Sequence, residues 1–302
     1  MIAEALLETV AARAADTESQ RRLPADLAAA LAHAGLFRML VPKSLDGAEA
    51  DVATLFTALE QLGRADAATG WCVMIGGTTA LISAWLPAEY AREIWADPHV
   101  ITGGVFAPMG RAAVDGGDYV VTGRWPWGSG SANCSWLLGG AVIMDGAEMR
   151  RLPSGAPDHR MMVMRKAEVE LIDTWDALGL RGTGSGDLAA SNVRLPQGRS
   201  VSFITDTPRE TGALYRFAPF GLLALGIAAV ASGNALGALD DLQALAVAKK
   251  AQGSSRSLAE RGVVQADFAV AHADLAAARA LVQAEIAAAW DLVVAGDTLD
   301  LP

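Results

Sequence analysis

The stretch GRWPWGSGSANCSWLLGG, residues 123–140, holds three of the chain's eight tryptophans and five of its glycines. Trp125 and Trp127 stand two apart, and Ser129 and Ser131 follow among glycines. A packed core accounts for the rings. It does not call for hydroxyls and glycines beside them. In an extended strand, positions two apart share a face, so Trp125 and Trp127 are read together.

Outward from this stretch, residues 98–205 break into short apolar runs separated by Gly, Asp and Pro. HVITGGVF, DYVVTG, SWLLGGAVIM, RMMVMR, AEVELI and LAASNVRLP read as six strands, and DGGD at 115–118 reads as a hairpin turn between two of them. Regular spacing of this kind predicts a small antiparallel barrel or sandwich.

Both flanks read as helix. In residues 1–97, Pro24 opens a helix that ends at Gly35, Asp51 caps another that runs through Leu62, and 67–85 form an apolar helix. In residues 206–302, GLLALGIAAVASGNALGALDDLQALAVAKK is one long helix. KKAQGSSRSLAERG is a loop, and the segment from Val263 to Gly296 is a second long helix. The expected architecture is therefore a helical domain, a barrel domain, and a helical bundle with too few helices to cover its own faces. The end at TLDLP reads as a bundle short of its last helices.

Bulk properties narrow the function. The 302 residues are 52% hydrophobic and 19% charged, with a net charge of −10. No basic stripe suits a phosphate backbone, which argues against nucleic acid. Cys72 and Cys134 have no CxxC spacing, and His33, His99, His159 and His272 have no ligand spacing, so no metal is expected. The N-terminus carries Glu4 and Glu8 where a signal peptide needs basic residues. The uncharged run between Arg216 and Asp240 is long enough for a bilayer. Its Ala/Gly content, with Pro219, Ser232 and Asn234, reads instead as a buried helix, and no membrane partner is expected.

The order of helices, strands and a long helical pair resembles the acyl-CoA dehydrogenase superfamily. FAPMGRAAVDGGDYVVTGRWPWGSGSANCSWLLGGA resembles its flavin-contacting barrel segment, and DTWDALGLRGTGSGDLAASNVRLP resembles the later barrel segment. The resemblance implies an α+β multidomain fold with a middle antiparallel β-barrel. It matches Trp127 and Ser129 to an aromatic ring and a hydroxyl offered to the isoalloxazine. On that reading the rings hold the flavin, the hydroxyls address its edge, and the glycines let backbone approach it. Trp125 is a further candidate, or a filler of the barrel. Met109 and Gly110 should border the flavin, and Arg181, Thr183 and Ser185 should form a turn on its side. Arg216 and Arg256 are weaker candidates, each more simply a solvated charge.

Two departures select a branch. The dehydrogenases' T-E-P-G-x-G-S-D loop is replaced by the shorter VFAPMGRAA, and their R-x-x-F-G segment by AKKAQGSSRSLAERGVVQ. Both resemble the flavin-dependent monooxygenases. That branch implies reduced FMN or FAD from a separate reductase, O2, an aromatic or polyketide-like substrate, a homotetramer, and a cytoplasmic location. An FAD-dependent acyl-CoA dehydrogenase and a non-catalytic or incomplete family member remain as alternatives. No catalytic acid or base is assigned. Thr79 stands where the branch often has a histidine, and His99 and His159 qualify by residue type alone.

Overall fold

The computed structural model describes residues 2–250, 252–297 and 299. Six helices come first: α1 (Glu4–Ala12), α2 (Ala14–Ser19), α3 (Ala25–His33), α4 (Val52–Ala65), α5 (Ala67–Thr79) and α6 (Ala88–Trp95). Eight strands follow: β1 (Thr102–Asp115), β2 (Asp118–Trp125), β3 (Trp136–Asp145), β4 (Glu148–Met149), β5 (His159–Arg165), β6 (Glu170–Ile172), β7 (Asp187–Pro196) and β8 (Ser200–Val201). Helices α7 (Ala213–Arg216), α8 (Pro219–Ala248) and α9 (Gly262–Ala295) complete the described chain. Of the terminal TLDLP segment, only Leu299 lies within the described residues.

Local chemistry sets the helix starts. The Asp51 carboxylate accepts from the Thr54 amide at 2.7 Å and opens α4; the Asp66 carboxylate accepts from the Thr69 amide at 2.9 Å and opens α5. Each satisfies a backbone donor that a helix start leaves without a partner. Gly35, in the left-handed region at φ +76°, follows α3 as the sequence suggests. Helix α5 is apolar nearly all round and lies between α4 and α8 on one side and β1 on the other.

The sheet differs from the expected antiparallel barrel. Its strands run β6-β7-β2-β1-β3-β5-β8, with β4 paired to β3, and among the described residues no pairing joins the two ends. The end strands β6 and β8 have three and two residues, too short a ladder to close a barrel. The β1–β2 hairpin closes through DGGD as expected, with Asp115 opposite Asp118. Strand β3 then pairs with β1 in parallel. A parallel neighbour cannot be reached by a tight turn, so residues 126–135 must cross the sheet's end. That crossing carries the opening stretch.

Strand β1 runs on to Asp115, well past the HVITGGVF run that the sequence suggests, and it carries a bulge. Val105 pairs with Gly139 and Gly110 with Ala141, so a five-residue advance on β1 matches a two-residue advance on β3. The four residues between, Phe106–Met109, stand opposite Gly140 alone and bow out of the ladder, and Pro108 has no amide to lose there.

Helix α8 is less buried than its composition suggests. Leu222, Gly226, Ala229, Val230 and Gly233 form its buried stripe, while Phe220, Ile227, Leu242 and Leu245 are exposed. The stripe lies close on α4: a Cβ at Gly233 would stand 2.1 Å from the Glu60 carbonyl oxygen. Composition shows that a helix is apolar; it does not show how much of its surface one chain covers.

Glu60 holds three helices together. Its carboxylate on α4 accepts from Arg279 Nε and Nη2 on α9, both at 2.7 Å, and from Ser232 Oγ on α8 at 2.6 Å. Burial alone raises the pKa of this carboxyl, but the bonds from Arg279 and Ser232 outweigh burial and leave it below its ordinary range. Because the folded value is lowered, the stability is present at neutral pH and disappears as the pH falls through that value. Replacing Glu60 by Ala should cost about 2–3 kcal/mol at pH 7, less than a fully buried pair because Arg279 is partly solvated. Thermal unfolding of wild type and E60A from pH 7 to pH 3 checks this. The gap should narrow below the carboxylate range; a constant gap would remove the ionic explanation.

Candidate functional site

Two loops meet at one end of the sheet. The crossing from β2 to β3 carries Trp127–Ser131, and the segment before β7 carries Leu180–Gly186. They are joined through backbone. Gly128 N–H donates to the Gly186 carbonyl at 2.8 Å, and Gly130 N–H to the Thr183 carbonyl at 2.9 Å. Gly130, Gly184, Leu180 and Trp127 all adopt left-handed conformations, at φ +71°, +57°, +51° and +65°. For Trp127 this costs about 1–2 kcal/mol, a strain the surrounding structure must hold.

The two tryptophans part company here. Trp127 is 70% exposed. Trp125 is wholly buried, and its Nε1 donates to the Gly140 carbonyl at 2.7 Å. A Cβ on Gly110, Gly123 or Gly139 would come within 2.4–2.8 Å of the Trp125 indole. Those glycines form the slot that holds the ring. Strand alternation, which put both rings on one face, ends because β2 stops at Trp125 and Trp127 turns to positive φ. Trp125 is therefore a packing residue with no surface to offer a cofactor. Gly110 belongs to the same slot.

Behind Trp127 lies a buried line of hydroxyls. Trp71 Nε1 on α5 donates to Ser129 Oγ at 3.1 Å, and Ser129 Oγ lies 2.7 Å from Ser185 Oγ. Ser185 Oγ bonds Thr183 Oγ1, whose hydroxyl donates to the Leu180 carbonyl at 2.8 Å. Ser129 and Ser185 are each 4% exposed and Thr183 1%, so the whole line is buried. Cys72 and Cys134 lie against the same loop. Both are buried and unpaired, and burial pushes both thiols up, away from reactive thiolate.

Trp71 also lines a cavity of about 200 Å³ between α5, the sheet and α8. Met74, Ile75, Ile82, Phe106, Phe203 and Ile227 contribute to its walls, and among the described residues no charged one lines it. Its Thr78 and Thr79 hydroxyls already donate to helix carbonyls, at 2.7 Å to Met74 and 2.9 Å to Ile75. The bulge in β1 explains Phe106: out of the ladder, it stacks on Phe203 and meets Phe220 edge-on, at centroid separations of 6.1 and 5.4 Å.

The other candidates lie elsewhere. Met109 is 55% exposed, on a groove with Arg111, Met144 and Met149. Arg181 pairs with Asp176 at 3.2 Å. Arg216 donates to the Val293 carbonyl at 2.8 Å and anchors the end of α9. Arg256 bonds within its own exposed loop. Trp136 is a buried platform under the guanidinium groups of Arg165 and Arg199. His99 stacks on His33 at the surface. His159 stands edge-on to Phe106 at 5.7 Å, and burial lowers its pKa. Trp71 was missed from sequence. Its place in GWCVMIGG marks an apolar helix but gives no sign of a partner 58 residues later.

An exposed flat ring fixed on a strained backbone, a buried hydroxyl two residues on, and an apolar cavity joined to that hydroxyl through Trp71 make a site that fits a flat heteroaromatic cofactor with an apolar co-substrate. The comparisons agree. The family model "Acyl-CoA dehydrogenase, N-terminal domain" matches residues 1–93, and "Acyl-CoA dehydrogenase, C-terminal domain" matches residues 225–301. An indole-3-acetate monooxygenase of Pseudomonas putida is 31% identical over 299 residues, covering 97% of this chain and 74% of the relative. The oxygenase subunit HsaA of a flavin-dependent monooxygenase of Rhodococcus jostii is 30% identical, covering 97% and 78%. The crystal structure of 3-HSA hydroxylase from Rhodococcus sp. RHA1 superposes with a TM-score of 0.87 at 28% identity, covering 98% of this chain and 77% of that one. The chain belongs to the acyl-CoA dehydrogenase superfamily and, within it, to the reduced-flavin-dependent oxygenase components of two-component monooxygenases.

Proposed function

We propose that this oxygenase component hydroxylates a planar, uncharged aromatic molecule held in the cavity beside Trp71. The uncharged lining of that cavity carries the reading. Trp127 would pack on the flavin ring and Ser129 would meet its edge, with Ser185 and Thr183 supporting Ser129 from behind. Met109 and Gly110 stand as weaker proposals for the flavin's border, the first exposed and the second already occupied with Trp125. Reduced FMN or FAD from a separate reductase supplies the two electrons that let one atom of O2 enter the substrate and the other leave as water. The chain's own residues bind and orient the aromatic ring and keep water from the reaction, which the apolar walls do. An acyl-CoA dehydrogenase needs a carboxylate base facing the acyl chain. Among the described residues none lines this cavity.

The division into domains 1–97, 98–205 and 206–302 is likewise proposed, on element content. So is assembly into a homotetramer, supported by the exposed Leu242, Leu245, Val270 and Leu281 on α8 and α9. A cytoplasmic location fits a reductase partner.

A carboxylate buried in this cavity would lose its hydration with no cation to replace it, a cost of several kcal/mol. Indole should therefore bind the flavin-loaded protein at least about a hundredfold more tightly than indole-3-acetate, since each 1.4 kcal/mol is tenfold. Calorimetric titration measures both, and coupled turnover with a flavin reductase and NADH tests for hydroxylated product. Equal affinities would overturn the uncharged-substrate reading. Oxygen uptake without any hydroxylated aromatic, across a neutral panel, would overturn the aromatic one.

A further inference from the structure

The hydrogen-bond line behind Ser129 has a fixed direction. Leu180 ends it with a carbonyl, which can only accept: it takes the Thr183 hydroxyl proton at 2.8 Å, the shortest of three bonds that also come from the Thr183 amide at 3.1 Å and Trp175 Nε1 at 3.2 Å. Thr183 can then only accept from Ser185, and the Ser185 proton is committed to Thr183. Ser185 can then only accept from Ser129, so the Ser129 proton points to Ser185. At the other end Trp71 Nε1, which can only donate, occupies one lone pair of Ser129. Counting donors and acceptors leaves Ser129 a single remaining capacity, one lone pair.

We infer that this line, set by Ser185, Thr183 and the Leu180 carbonyl, makes Ser129 an obligate acceptor, so that the site selects reduced over oxidised flavin. The inference rests on the proposed placing of Ser129 at the flavin's edge. A reduced isoalloxazine carries an N–H at N5, a donor that an acceptor hydroxyl satisfies. The oxidised ring has a bare nitrogen there, and two lone pairs would face each other. An unmatched buried polar pair costs more than a matched one gains. Ser185 and Thr183 are thus positioning residues, acting on the cofactor's redox state through Ser129. The arrangement suits an enzyme that must take up flavin already reduced and release it once oxidised.

The test is anaerobic equilibrium binding of reduced and oxidised FMN and FAD to the full chain, without turnover. Wild type should prefer the reduced form by tenfold or more. S185A frees the Ser129 hydroxyl to turn toward the flavin, and the preference should fall about tenfold, chiefly through tighter binding of the oxidised form. T183V is nearly isosteric, releases the Ser185 proton and should act in the same direction, so it carries the test if S185A does not fold. W71F leaves the carbonyl end intact and should keep the preference. An even-handed wild type, or a preference unchanged in folded S185A and T183V, overturns the inference while flavin binding itself stands. Failure of wild type to bind either redox state of either flavin overturns the flavin placing and the inference with it.

Discussion

Trp125→Ala should lower the stability of the chain by about 3–5 kcal/mol, the usual cost of removing a large buried aromatic and leaving its space. For a chain of this size that is a fall in Tm of roughly 5–8 °C, if unfolding is two-state. The ring is wholly buried and is enclosed by glycines of β1, β2 and β3. Its N–H is bonded to Gly140, so the mutation also leaves that carbonyl without this partner. W125F, which keeps most of the ring but not the donor, should cost less, about 1–3 kcal/mol. The slot gives a sharper check. Gly139→Ala should be destabilising in wild type, because its methyl would stand 2.6 Å from the indole. It should be much milder in W125A, where the ring is gone. Such coupling between neighbours is what a double-mutant cycle measures. Additive costs, or a Tm for W125A within a degree or two of wild type, would mean that the ring is not the centre of this packing.

Trp127→Ala should do the opposite. Removal of an exposed side chain should change stability by no more than about 0.5 kcal/mol. Flavin affinity should fall roughly thirtyfold or more. That figure combines the burial of an aromatic ring under a planar partner, about 1.5–3 kcal/mol, with about 0.5–1.5 kcal/mol for the stacking geometry. Trp127→Gly separates strain from binding. At φ +65° glycine relieves a cost the tryptophan imposes, so W127G should unfold about 1 kcal/mol later than W127A while binding flavin as weakly. Thermal unfolding without flavin and anaerobic titration with reduced FMN and FAD measure the two effects. A W127A protein that keeps wild-type affinity would remove Trp127 from the flavin site.

Much of the organisation was legible in the residues. Asp51 caps its helix by a rule that acts within three residues. DGGD closes a hairpin by the same kind of local necessity. The stretch at 123–140 also announced two uses for its rings, since hydroxyls and glycines at that density suit an approach surface. What it could not show was which ring serves which use. Alternation assumes that the strand continues, and this one ends between the two tryptophans.

Sequence alone therefore determined the helix–strand–helix order, the family, the flavin chemistry and the residues Trp127 and Ser129 as the pair to examine. These follow from short-range patterns and from motifs that survive as strings. The tertiary structure alone decided the rest. The short end strands β6 and β8 left the expected barrel open, and the parallel pairing of β1 with β3 turned residues 126–135 into a crossing. It buried Trp125 and exposed Trp127, and it brought Trp71, Ser129, Ser185 and Thr183 into one directed line. The physical reason is one of range. A cap or turn is satisfied by atoms a few residues apart, whereas a buried hydroxyl takes as its partner whatever the fold brings to it, and no local pattern records that meeting.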